Sequence, residues 1–213
     1  MLTVLRNSWA LLLGVMLLML GNGIQGTLLG IRGNLEGFTT YQLSYVMAAY
    51  FAGFLFGSWA APRMIRRVGH VRVFAALGSF ISAILVIYPV YPDWVVWTAL
   101  RVLAGFCFSG IYITAESWIN NTASNETRGQ ALSAYMIVQM LGIIASQVLL
   151  NLPDTSGFAL FIIPSVLVSL AFMPILLAPT PAPAFDSTRR LPFRDLFRIS
   201  PLGCAGMLLT GGV

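Results

Sequence analysis

Six apolar runs dominate this chain, at Trp9 to Leu29, Tyr41 to Ala61, Val73 to Tyr91, Trp94 to Trp118, Gln130 to Leu150 and Gly157 to Ala178. A helix crosses roughly 30 Å of hydrocarbon in about 20 residues, so each run is long enough to span a bilayer. Strands would leave their backbone unsatisfied in lipid, and a closed barrel would show short alternating segments instead. The runs predict an all-α membrane protein with six transmembrane helices. Composition agrees: 58% of residues are hydrophobic and 9% charged, against about 25% charged in soluble domains. A soluble enzyme and a disordered tail are both excluded. The first run follows Arg6 as a signal peptide would, but its apolar character continues to Leu29 with no Ala-x-Ala site, so it is read as an uncleaved span.

All twelve basic residues are arginines, and the formal charge is +5. With Arg101 set aside inside the fourth run, they lie between the apolar runs, which marks cytoplasmic loops rather than a nucleic-acid surface. Arg6, then Arg63, Arg66, Arg67 and Arg72, then Arg128, then Arg189, Arg190, Arg194 and Arg198 fall on one side; Arg32 alone falls on the other. The asymmetry predicts a cytoplasmic N-terminus. Residues 1–178 read as the six-helix bundle and 179–200, with Pro179, Pro181 and Pro183, as a cytoplasmic linker. Residues 201–213 read as the start of a seventh helix, cut short. Two cysteines, Cys107 and Cys204, and one histidine, His70, leave too few ligands or nucleophile–base pairs for a metal site or hydrolytic chemistry. No cofactor is expected.

Ala49, Gly53 and Gly57 repeat at four-residue spacing in the second run, a stripe that lets another helix approach closely. A basic loop follows, Pro62-Arg63-Met64-Ile65-Arg66-Arg67-Val68-Gly69-His70-Val71-Arg72. It resembles the signature loop of the major facilitator superfamily of secondary transporters, G-x-x-x-D-R-x-G-R-R, with Arg67 and Gly69 in register. Pro62 stands at the first glycine and Arg66 at the acid, which removes the acid from the family's contact between halves. Arg101 and Gly105 resemble the family's R-x-x-x-G element, and Glu116 with Arg128-Gly129 is similar to the acid-then-Arg-Gly pair around its fourth loop. Together the segments look like the YcaD-type branch. The resemblance implies one six-helix half of a transporter that works by alternating access, with a missing C-terminal half as partner and a small-molecule substrate. It implies a bacterial inner membrane. Helix five lacks the family's Gly-Pro antiporter pair, which argues against drug export.

Independently of the family, Arg101, Gly105, Ser109, Tyr112 and Glu116 fall within an arc of about 80° on helix four. Tyr135, Gln139, Gly142 and Ser146 form a similar face on helix five, and Asn22 and Gln25 one on helix one. Polar stripes at mid-depth line water or substrate. Asn22, Gln25, Arg101, Tyr112, Tyr135 and Gln139 are therefore the candidate cavity residues; for the three amides, plain interhelical hydrogen bonding is the competing reading. Arg101 would be satisfied by carbonyls, by Asn22 or Gln25, by substrate, or by an acid of the other half. The gate candidates are Arg63, Arg66, Arg67, Gly69, Arg72, Glu116 and Arg128, with Glu116 pairing to an arginine; Ala49, Gly53, Gly57 and Gly105 are packing candidates. A coupling proton would ride on Glu116 or on the missing half. The alternative to transport is a truncated half-transporter or a non-transporting membrane interaction or sensor protein.

Overall fold

The computed structural model describes residues 2–150, 158–177 and 197–211. Among the described residues eight helices follow in order: α1 Leu2–Leu35, α2 Thr40–Val68, α3 His70–Val90, α4 Trp94–Thr122, α5 Arg128–Leu149, α6 Ala159–Ala171, α7 Met173–Leu177 and α8 Pro201–Gly211. Among the described residues there is no strand. Six spans are long and apolar enough to cross a membrane, α6 and α7 together making the sixth. The chain is an all-α, multi-pass membrane bundle. Most of the expected linker, with Arg189, Arg190 and Arg194, lies outside the described residues, as do both expected ends of the sixth run, Gly157 and Ala178.

Local chemistry sets the helix ends. Thr39 and Gln42 form a reciprocal capping box at the start of α2. Asp93 Oδ1 accepts from the Val95 and Val96 amides at 2.9 and 3.0 Å, starting α4. Trp97 Nε1 donates to the Tyr88 and Tyr91 carbonyls, which ties the α3–α4 turn down. The α2–α3 connection is shorter than the expected loop. Helix α2 runs on through Pro62, and the chain breaks at Gly69 alone, whose φ of 83° suits a residue without a Cβ. Arg63, Arg66 and Arg67 therefore stand on a helix, and His70 opens α3, buried, with Nε2 3.1 Å from Ser117 Oγ.

Packing runs α2–α4–α3–α6–α1–α5, which leaves α2 and α5 at the two ends of the series. One apolar cluster reaches up α1 to Met19 and begins on α4 at Cys107. A second takes over at Ile24 on α1 and ends on α4 at Ala104. On α1 Asn22 falls between the two clusters, whereas on α4 Arg101 stands at the level of the second.

The α2–α4 contact is backbone on backbone. A Cβ at Gly53 would strike the Val102 carbonyl, one at Gly57 the Phe106 carbonyl, and one at Gly105 the Tyr50 carbonyl. The expected glycine stripe thus forms one wall, extended by buried Ala61 and Ile65, while Ala49 is half-buried. Helices α3 and α6 are joined by serines: Ser82 Oγ lies 2.9 Å from Ser165 Oγ and 2.8 Å from Ser169 Oγ.

Candidate functional site

A cavity of about 420 Å³ opens where α1, α2, α4 and α5 converge, within the range of small-molecule sites. From α1 come Asn22, Gly23 and Gly26; from α2, Met47, Tyr50 and Phe51; from α4, Arg101; from α5, Ile143 and Gln147. Asn22 stands midway along the Ser8–Leu35 span. Because α4 extends to Thr122, Arg101 lies about 10 Å from its midpoint, toward the Asp93 end.

Arg101 is only 7% exposed. Its guanidinium sits 4.8 Å over the Tyr50 ring, and Nη2 donates to Met47 Sδ at 3.4 Å. The expected bonds to Asn22 and Gln25 do not form, and Nε finds no partner among the described residues. The two amides turn their NH2 groups to tyrosines, and Gln25 Oε1 is itself without a hydrogen-bond partner among the described residues. Asn22 Nδ2 donates to the Tyr112 hydroxyl at 3.3 Å, and that hydroxyl donates to Met19 Sδ. Gln25 Nε2 donates to the Tyr88 hydroxyl at 3.3 Å, facing α3 and buried.

Of the expected cavity residues, Asn22 and Arg101 line it, and Tyr112 backs Asn22 one layer behind. Gln25, Tyr135 and Gln139 stand off its wall. The α5 face that carries Tyr135, Gly142 and Ser146 is buried. A Cβ at Gly142 would press on Met19 and on the Met16 carbonyl, so this face seats α5 on α1. Gln147, which periodicity passed over, supplies the amide instead; it reaches Thr27 Oγ1 at 3.5 Å and the Gly23 carbonyl at 3.4 Å. Tyr50 is the other residue missed. An apolar run conceals both, although the polar tip of Tyr and the amide of Gln inside a span were visible signals.

At the opposite end, Arg66, Arg67, Arg72 and Arg128 are exposed. Arg63 folds back over Trp59, 3.6 Å from the ring, and Nη1 donates to the Trp59 carbonyl. Glu116 is exposed and, among the described residues, forms no ion pair with any of these arginines; Arg32 with Glu36, at 2.7 Å, is the ion pair formed. Glu116 stands four residues beyond Tyr112 on α4. Among the described residues no group of His, Cys, Asp or Glu could hold a metal ion.

The chain matches the family model described as Major Facilitator Superfamily over residues 11–213. It is 29% identical over 176 residues to the uncharacterized MFS-type transporter YE1530 of Yersinia enterocolitica, covering 81% of this chain and 45% of that protein. An uncharacterized MFS-type transporter of Yersinia pestis is 31% identical over the same shares. The uncharacterized MFS-type transporter YcaD of Salmonella newport is 29% identical over 164 residues, 77% of this chain and 42% of the relative. The chain spans a little under half the length of these relatives. A family match across nearly its whole length, on a bundle of six apolar spans, means that this chain belongs to the major facilitator superfamily.

Proposed function

We propose that the chain forms one six-helix half of a secondary active transporter that carries a small solute across a bacterial inner membrane by alternating access. The observation that supports this reading is the cavity that Arg101, nine-tenths buried, lines together with Asn22 and Gln147. An opening that sets a buried guanidinium and two amides beside apolar walls has little structural use in a bundle, and a solute path requires one. The exposed apolar faces of α2 and α5, with Phe51, Leu55, Trp59, Met136, Met140 and Ile144, suit a second six-helix half.

Alternating access has a readout that needs no substrate. A Cβ at Gly26 meets no atom within 4 Å, so Gly26→Cys fits in the cavity. In the full chain, with Cys107, Cys204 and any other cysteine replaced, a membrane-impermeant maleimide is expected to label this residue from either face of the membrane. Labelling from one face only means a static cleft, and the transport reading fails.

The arginine asymmetry puts the N-terminus and the α2–α3 turn in the cytoplasm. Reporter fusions after Gly69 and after Pro92 are expected to read inside and outside respectively; the same side for both contradicts the orientation.

Glu116, one turn beyond Tyr112 on α4 at the cytoplasmic mouth, is the gate acid and the candidate for the coupling proton in this half. In the conformation described it forms no ion pair among the described residues, so a pair with Arg128 or with an α2–α3 arginine belongs to another state of the cycle. Glu116→Gln is expected to leave the amount of inserted protein unchanged and to shift the balance of Gly26→Cys labelling between faces by about threefold or more, the effect of losing roughly 0.7 kcal/mol from one state. An unchanged ratio removes the gating role.

A further inference from the structure

We infer that the cavity takes an organic monoanion, a carboxylate or a group of like geometry carried on an apolar or aromatic body. The inference rests on the reading of this cavity as the solute site and gives that solute a chemical class. A guanidinium keeps its charge at any physiological pH, and burying it is tolerable only when it is paired and hydrogen-bonded. Arg101 is buried, yet among the described residues it has a thioether and an aromatic face for company and no carboxylate within an ion-pair distance. A thioether is a weak acceptor, and the Nε–H is bare.

The nearby acids are spoken for or remote. Asp93 caps α4, and Glu36 holds Arg32. Glu116 lies fifteen residues beyond Arg101 on the same helix, about 22 Å along it. The described cavity wall therefore carries one positive charge, and a single anionic group neutralises it. A planar fork with free N–H groups fits a carboxylate edge better than a spherical anion. The remaining walls decide the rest of the ligand. Met47, Phe51 and Ile143 are apolar and Tyr50 offers a ring, so the body next to the anionic head is hydrocarbon or aromatic. Asn22 and Gln147 add neutral polar contacts that fix orientation without demanding a second charge.

The test is thermal unfolding of the purified full chain in detergent, with benzoate, 3-phenylpropionate and octanoate as probes. Benzamide and benzylammonium serve as neutral and cationic counterparts of the first. At about ten times its Kd, at least one carboxylate is expected to raise Tm by about 3 °C, with no rise from benzamide or benzylammonium. Arg101→Gln is expected to weaken carboxylate binding at least about tenfold, the loss that follows removal of a charge-assisted hydrogen bond. The comparison among ligands on the unmodified protein stands even if that variant does not fold. Benzylammonium or benzamide stabilising as well as benzoate overturns the inference. So does a protein that none of the three carboxylates shifts, which is the outcome if an acid elsewhere in the chain already neutralises Arg101. The Gly26→Cys labelling uses no ligand, so the two readings fail separately. One-face labelling with carboxylate binding intact ends the transport reading alone; two-face labelling without carboxylate preference ends the anion class alone.

Discussion

Valine at Gly105 is expected to abolish recovery of folded protein from the membrane, with no monodisperse peak on size exclusion. Alanine at Gly129, whose Cβ would meet open space, is expected to leave the yield unchanged. The difference lies in what each new side chain meets. At Gly105 it meets the Tyr50 carbonyl, and the reciprocal contacts of Gly53 with Val102 and of Gly57 with Phe106 leave α2 no direction in which to yield locally. A side chain moves aside for about 1–3 kcal/mol; a helix backbone moves as a whole, so the cost here exceeds that. Lipid offers helices no hydrophobic reason to associate, and close packing with weak Cα–H···O contacts holds such a seam. Gly105→Ala is the graded version: α2 is displaced, and Tyr50 moves off Arg101, one turn away on α4. Wild-type yield and Tm in Gly105→Val contradict the backbone seam.

Long-range order in the bundle was legible where one residue type has one physical use. Apolar runs can only span, and the glycines of α2 and Gly105 of α4 can only permit approach, so the spans and the faces fit for close contact are legible in sequence, while the pairing of α2 with α4 is not. The cavity was legible in part because polar residues in lipid have two uses. Asn22 and Arg101 line it, whereas Tyr135, Gly142 and Ser146 fall on an equally clean stripe that proves to be the α1–α5 contact. Periodicity identifies a face but not the helix that meets it. Gln147 illustrates the same limit from the other side. It lies about 100° round the helix from Ser146, off the stripe, and becomes a wall residue only because α1 approaches α5 at Gly23. The serines of α3 and α6 join across the interface between the two helices. His70 read as a loop residue and is buried, since the turn that was to hold it shrinks to Gly69.

Arg101→Met separates a residue kept for function from one kept for structure, because the two roles predict opposite signs. A hydrogen-bond hub that held α4 to α1 or α2 would lower stability when removed. Among the described residues Arg101 makes no such hub: it has one bond to a thioether, a bare Nε and a ring beneath it. Replacing an unpaired buried charge with an apolar side chain of similar length removes a desolvation cost without breaking a good bond, a change worth on the order of 1–4 kcal/mol in favour of the folded state. At roughly 2–4 °C per kcal/mol for a chain of this size, Arg101→Met is expected to raise Tm by several degrees while counterflow of labelled benzoate in proteoliposomes falls to background. Arg101→Lys keeps the charge but loses the planar fork and its stacking on Tyr50. It is expected to insert normally and to retain no more than about a tenth of the counterflow. A lower Tm in Arg101→Met, or full counterflow in Arg101→Lys, means that the arginine braces the bundle and does not read the solute. A gain in stability bought with a complete loss of transport is the pattern of a charge held at a cost for a ligand that arrives to pair it.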